Sequence, residues 1–186
     1  MLKCGKDITG LDLVETPRSV QHTVSPDVNP SSRLNISRRA AVGRLAELVL
    51  TRNFNAPRDL AFKMWTDPQH VAQWWGPHGF TTRILEMDVR PGGAWRYAMR
   101  GPDGNDYPFD GVYVEVVEPE RLVFDGTIHG SPERRVWTEV IFADQAGNTE
   151  VKVRQLYSFE NEAITRGAPI GWNQQFDRLA EFLSKF

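Results

Sequence analysis

The chain is predicted to be an α+β protein, with a curved antiparallel sheet of about seven strands packed against one long C-terminal helix. Three observations predict it. A β-favouring stretch is followed at once by two short amphipathic helices, six further strand-like stretches are joined by short turn-forming links, and an apolar helical stripe closes the sequence.

The first strand begins at Glu47, where Leu48, Leu50, Arg52 and Phe54 alternate with Val49, Thr51 and Asn53 until Asn55 and Pro57 end the run. Pro57 suits the first turn of a helix, and Leu60, Ala61, Met64 and Trp65 recur at helical spacing behind it. Asp67-Pro68 restarts the chain in a second short helix with Val71, Trp74 and Trp75 on its apolar side, and Gly76-Pro77 stops it as a rigid turn. Strands are then predicted at 81–90, 94–100, 107–118, 122–127, 136–143 and 150–159. Their links are Pro91-Gly92-Gly93, 101–106, 119–121, a Gly and Pro loop at 128–134, and 144–148. Links this short favour antiparallel neighbours, since a parallel sheet needs helical crossovers. Pro108 sits where a strand begins, which reads as a sheet edge. The last element is a helix at 169–185, with Trp172, Phe176, Leu179 and Leu183 on one stripe. A sheet of this size cannot leave a whole apolar face in water, so the helix must lie across it and enclose a space.

With 186 residues and 40% hydrophobic content, the chain can bury one substantial core. Its net charge of −2, with both signs interspersed, offers no broad basic surface, so no nucleic-acid partner is expected. The single cysteine, Cys4, excludes an internal disulfide and a cysteine-rich metal site. No apolar run approaches the roughly 20 residues of a membrane span and no signal-peptide hydrophobic region is present, so a cytoplasmic protein with no membrane span is expected. Residues 1–46, with Pro17, Pro26, Pro30 and many small polar side chains, read as a flexible N-terminal tail ahead of a single domain at 47–186. The basic residues Lys3, Lys6, Arg18, Arg33, Arg38, Arg39 and Arg44 raise a targeting segment around 36–50 as the alternative, and Asp7, Asp12, Glu15 and Asp27 weigh against it.

Three segments, FNAPRDLAFKMWTDPQHVAQWWGPHGFT, VVEPERLVF and GWNQQFDRLAEFL, occur in an order that resembles a known family. They are similar to stand-alone bacterial domains related to the C-terminal domain of the heat-shock-protein-90 ATPase activator, in the START-like, Bet v 1-like or SRPBCC superfamily. The resemblance covers about 47–186. It implies a helix-grip fold with an internal cavity between sheet and C-terminal helix. It implies much less about activity, because the superfamily holds lipid carriers, polyketide cyclases and hormone receptors. In the eukaryotic cochaperone the resemblance implies a separate N-terminal domain for chaperone contact. The 46 residues here are too short and polar for one, so a chaperone partner is not the leading expectation.

Alternation along the strands groups Trp95, Tyr97 and Met99 on one face with Arg96 on the other. It likewise groups Tyr107, Phe109, Gly111 and Tyr113, then Val151, Val153, Gln155 and Tyr157, and sets Trp137, Glu139 and Ile141 opposite Val136, Thr138, Val140 and Phe142. Flat side chains with few rotors make apolar pocket walls, and indole and phenol groups can orient a ligand. The candidate ligand-binding residues are therefore Trp65, Trp74, Trp75, Trp95, Tyr97, Met99, Phe109, Tyr113, Trp172 and Phe176, each weighed against a simple place in the core. The expected partner is a small hydrophobic or amphipathic ligand, and no cofactor is expected.

No nucleophile elbow, phosphate loop or dinucleotide fingerprint occurs, and His22, His70, His78 and His129 have no metal-ligand spacing, so no catalytic or metal residue is assigned. If the cyclase relatives set the pattern, Glu139, Arg96, Arg154, Tyr97 and Tyr113 would be the acid, base or anchor groups. The competing expectation leaves the strand charges solvated on the convex face.

Overall fold

The computed structural model describes residues 46–128, 131–159 and 162–186, the side chains of 162–165 excepted. Apart from Ala46, the stretch read as a flexible tail lies outside them, as do Cys4, His22 and His129. In chain order the elements are β1 (Ala46–Phe54), α1 (Arg58–Thr66), α2 (Pro68–Trp74), β2 (Thr81–Met87), β3 (Ala94–Arg100), β4 (Asp106–Val117), β5 (Arg121–Ile128), β6 (Ser131–Gln145), β7 (Asn148–Tyr157) and α3 (Glu162–Leu183). The seven strands form one antiparallel sheet in the order β1-β7-β6-β5-β4-β3-β2. This is the α+β helix-grip architecture the sequence predicts. Consecutive strands from β2 to β7 are hairpin neighbours, and β1 alone is displaced, to the far edge beside β7. The segment carrying α1 and α2 must therefore bridge the sheet from one edge to the other. It does so over the inner face, where α1 packs on β6 and β7, α2 on β2, and α3 on β1 and α2.

Local chemistry fixes these helices. The Asp67 carboxylate accepts a 2.8 Å hydrogen bond from the Gln69 N–H, and Pro68 takes the first helical position of α2, where a missing donor is harmless. The entry to α1 is held by the buried Thr149 hydroxyl, which donates to the Ala56 carbonyl at 2.7 Å. α1 turns Ala61, Phe62, Met64 and Trp65 inward, and α3 buries Trp172, Phe176, Leu179 and Leu183. Against them lie Phe54, Val140, Phe142, Val151 and Val153 from β1, β6 and β7. The rings meet edge to face, Phe54 on Phe176 at 5.6 Å and Phe62 on Phe142 at 5.3 Å, the geometry their quadrupoles favour.

Two β-bulges shape the other half of the sheet. Pairing with β3 skips a residue between Ile84 and Glu86, and pairing of β4 with β5 skips one between Tyr113 and Glu115. Each extra residue, Leu85 and Val114, is exposed, and the alternation restarts behind it. Ile84 and Met87, three apart, consequently share the inner face, as do Tyr113 and Val116.

Three expectations need correction. The last helix starts at Glu162, and Pro169 lies inside it: the missing N–H removes one backbone bond, a loss a 22-residue helix absorbs. The loop expected at 128–134 is mostly strand, because β6 begins at Ser131 and pairs back to β5 at Ile128. Pro108 lies in interior strand β4, yet its stretch pairs only with β3, since the β5 ladder ends at Phe109 opposite Ile128. Its absent N–H thus falls at a local edge.

Candidate functional site

Between α1, α2 and the β2–β5 half of the sheet lies a pocket of about 30 Å³ walled by Trp65, Val71, Trp75, Ile84, Glu86, Met87, Trp95, Tyr97, Tyr113, Leu122 and Phe124. A water needs roughly 10–15 Å³ by the same kind of measure, so the space as it stands holds one or two atoms rather than a ring. The buried part of the wall comes from Trp65, Val71, Trp75, Trp95, Tyr113 and Leu122, whereas Ile84, Met87, Tyr97 and Phe124 are only partly buried. Enlargement therefore falls to the half-buried side. A second depression, of about 290 Å³, lies at the β2–β3 edge and is lined by Thr81, Thr82, Arg83, Ala98, Arg100 and Asp106.

Glycine makes room for the central ring. Trp95 faces Gly111 across β3–β4, and Gly111 faces Gly126 across β4–β5. A Cβ on Gly111 would come within 2.4 Å of the indole, and one on Gly126 within 2.3 Å. The two absent side chains form the trough in which Trp95 lies, and Tyr97 and then Phe109 stack on from it at 5.3 Å each. On the helix side Trp65, Trp74 and Trp75 form a mutually tilted cluster, joined to the sheet stack by Trp75 against Tyr97 at 5.6 Å.

The segment between α2 and β2 is held rigidly. The Arg178 guanidinium reaches from α3 to the carbonyls of Gln73, Trp75, Gly76, Pro77 and Phe80 at 2.7–3.3 Å. It covers the carbonyl end of α2, where positive charge is favoured. Gln175 accepts from the Gly76 N–H and Gln174 from the His78 N–H. Desolvation lowers the Arg178 pKa below its ordinary value.

The polar groups divide in an informative way. Trp74, which does not wall the pocket, donates to the Met64 carbonyl at 2.9 Å, and Trp172, also outside it, donates to the Gln155 side-chain oxygen at 2.8 Å. Of the three indoles in the wall, Trp75 is hydrogen-bonded with Tyr97, whereas Trp65 and Trp95 have buried N–H groups with no hydrogen-bond partner. An unmatched buried donor costs about 1–3 kcal/mol, so two in one wall are an exception that calls for a reason. The third such atom, His70 Nδ1, is not in the wall and lies 4.0 Å from an Asp67 oxygen. Burial drives the Tyr97 pKa well above that of a free phenol, with a hydrogen bond involving Trp75 opposing it, and burial raises Tyr113 likewise. The site therefore disfavours negative charge. Glu86, the one acidic residue in the wall, is the direct cross-strand partner of Arg96 and carries its exposed carboxylate on the other face, 2.9 Å from the Arg96 guanidinium.

Of the sequence-predicted ligand residues, Trp65, Trp75, Trp95, Tyr97 and Tyr113 come together around this pocket. Phe109 extends the stack from Tyr97, Met99 lies against Gly76, and Trp74, Trp172 and Phe176 pack behind Trp65 and Trp75. Among the described residues α3 contributes no lining side chain, so this pocket lies under α1 and α2 and not, as expected, between the sheet and the C-terminal helix. Val71, Ile84, Glu86, Met87, Leu122 and Phe124 were missed. Ordinary aliphatic residues carry no pocket signal, although the β2 bulge would have grouped Ile84 with Met87. The groups considered for cyclase chemistry separate: Tyr97 and Tyr113 face the pocket, while Arg96, Glu139 and Arg154 lie on the other face, paired with Glu86, Arg121 and Glu47. Among the described residues no group of His, Cys, Asp and Glu side chains is arranged to hold a metal, and no helix is long and apolar enough to cross a membrane.

Comparison with known proteins places this geometry. The family described as Activator of Hsp90 ATPase homolog 1-like protein matches residues 55–184. A protein of known structure from Chromobacterium violaceum is similar at 26% identity and TM-score 0.68, over 74% of this chain and 96% of that one. One from Arthrobacter aurescens is similar at 20% identity and TM-score 0.69, over 78% and 93%. One from Silicibacter pomeroyi that bears the family's name is similar at 23% identity and TM-score 0.64, over 75% and 98%. The latter two likenesses concern the fold. The comparison with curated proteins returns no match.

Proposed function

This chain belongs to the Activator of Hsp90 ATPase homolog 1-like family, and from that membership and its pocket we propose that it is a cytoplasmic protein that binds a small hydrophobic or amphipathic ligand. The observation carrying the proposal is the wall itself: indole and phenol rings flank a water-sized gap closed on one side by half-buried Ile84, Met87, Tyr97 and Phe124. Such a surface recognises flat apolar bodies by area and orients them through a few polar atoms. The rigid loop pinned by Arg178 supports a preformed wall on the α2 side, leaving the β2–β3 side chains to move.

Thermal unfolding of the whole chain against a panel of apolar ring compounds tests it. A ligand at about 100 times its Kd stabilises the folded state by about 2.7 kcal/mol, a readily measured shift. Trp75→Ala, which opens the wall, should abolish the shift while the variant still unfolds cooperatively. A panel that leaves the transition unmoved counts against the proposal.

The family's description favours one second reading, a contact with a chaperone ATPase. Its test is the ATPase rate of the purified chaperone with and without this chain, and an unchanged rate ends it.

A further inference from the structure

The depression at the β2–β3 edge lies on the face of the sheet away from the aromatic pocket. On β2 the buried Thr82 points inward, its hydroxyl donating to the Trp75 carbonyl at 2.6 Å, so by alternation Thr81 and Arg83 face outward. The register sets Arg100 opposite Thr81, Ala98 opposite Arg83, and Asp106 opposite Arg100. Arg83 and Arg100 are thus diagonal cross-strand neighbours, about 7–8 Å apart at the backbone, and the position facing Arg83 carries only a methyl group. These side chains surround the space of about 290 Å³. The charges around it do not balance. Of the four arginines on β2 to β5, three meet carboxylates: Arg96 meets Glu86 at 2.9 Å, Arg121 meets Glu139 at 2.6 Å and Arg100 meets Asp106 at 3.5 Å. Among the described residues Arg83 meets none. The Arg100–Asp106 contact is long and exposed, so it leaves most of the Arg100 fork free. Two guanidinium groups against one carboxylate leave a positive charge unmet in the depression.

We infer that this outer edge is a second binding site, separate from the aromatic pocket, for the phosphate group of a phosphate monoester, held between the Arg83 and Arg100 guanidinium groups. Planar forks of this kind match the oxygens of phosphate in pairs. The donor supply also favours phosphate over carboxylate. Arg83 brings five N–H donors, Arg100 those that Asp106 leaves, and Thr81 an exposed hydroxyl. β2 is the edge strand, so its outward backbone N–H groups add donors with no ladder partner. A carboxylate offers two oxygens and one charge to this set, whereas a phosphate monoester offers three oxygens and nearly two charges. Asp106 holds Arg100 until the anion displaces it.

The test titrates the ¹⁵N-labelled whole chain with inorganic phosphate, and separately with acetate, at constant ionic strength. Phosphate should move the amide signals of Thr81, Arg83 and Arg100 along a saturating curve, and acetate should bind about tenfold more weakly. Arg83→Gln should weaken phosphate by about tenfold, the loss of a charge-assisted contact, with its thermal midpoint unmoved because Arg83 has no ion pair to lose. Asp106→Asn, which releases Arg100, should tighten binding. Arg90→Gln removes an exposed charge outside the depression and should leave the affinity as it was. Glycerol 3-phosphate and phosphatidylcholine vesicles containing phosphatidic acid then separate the two sources of such a group. Capture of the chain on the vesicles, lost in Arg83→Gln, assigns a lipid headgroup; saturable shifts with glycerol 3-phosphate and no capture assign a soluble ester. Shifts that fail to saturate, equal affinity for acetate, or equal losses in Arg83→Gln and Arg90→Gln overturn the inference and leave the aromatic pocket's reading untouched.

Discussion

The trough beneath Trp95 makes a sharp demand on Gly126. A methyl group there would lie 2.3 Å from Cζ2 and 2.4 Å from Cη2 of the indole, and 2.8 Å from the Asp110 carbonyl oxygen. Carbon atoms sit comfortably at about 3.5–4.0 Å, so the ring must lift by more than about 1 Å. It has nowhere easy to go, being stacked on Tyr97 and edge-on to Phe124 at 5.9 Å. Gly126→Ala should therefore destabilise by about 1–3 kcal/mol, the usual cost of overpacking. Trp95→Phe, which removes the outer ring atoms, should alone cost about 1–2 kcal/mol through the void it leaves. Combined, the methyl group fills part of that void, and the double variant should be more stable than the sum by at least about 1 kcal/mol. Gly111→Ala supplies a contrast, because its Cβ would meet the Asp125 carbonyl oxygen at 2.3 Å and no ring substitution relieves backbone. Urea unfolding followed by circular dichroism reads all five proteins, with midpoints compared at a common slope. Costs at Gly126 and Trp95 that add within about 0.5 kcal/mol would refute the trough as the reason for the glycines.

Other expectations follow from the same contacts. Arg178→Met should cost about 2–4 kcal/mol, since it removes a charged donor from the carbonyl end of α2; amide exchange should quicken across 75–80 before the rest of the chain. Thr149→Val leaves the Ala56 carbonyl without its buried donor and should cost about 1–2 kcal/mol by thermal unfolding, although the side chains are nearly isosteric. Burial pushes the Tyr157 hydroxyl up to about 12 from an unfolded value of 10.0. Between those values the unfolded chain holds fewer protons than the folded one, so stability is complete below pH 10 and falls as pH rises towards 12. Two pKa units correspond to about 3 kcal/mol, and Tyr157→Phe should flatten the alkaline decline by about that much; an unchanged slope would contradict the cause given.

Much of this fold is legible because its signals are local. Leu48, Leu50 and Phe54 alternate cleanly, Asp67-Pro68 spells a capped helix start, and the turn-rich links leave little choice but hairpins. What escaped reading depends on partners distant in sequence. Leu85 and Val114 continue a plausible alternation, and only the pairing of β2 with β3 and β4 with β5 reveals them as bulges. Pro169 reads as a helix start because its cost is local, while the helix that overrides it is anchored downstream by Trp172 and Phe176 on the core. The aromatic members of the pocket were visible as residue types, yet nothing in the sequence tells satisfied Trp74 from unsatisfied Trp65. That difference depends on the Met64 carbonyl, ten residues back along the chain, which the fold brings to the Trp74 indole and to which Trp65 has no counterpart.

Native mass spectrometry of the gently purified whole chain, with extraction and identification of whatever travels with it, tests ligand binding most directly. The expected result is a complex of one apolar small molecule per chain that is lost when Trp75 is replaced by alanine. A bare mass from several expression hosts, unchanged after incubation with the cell's own apolar extract, would contradict it.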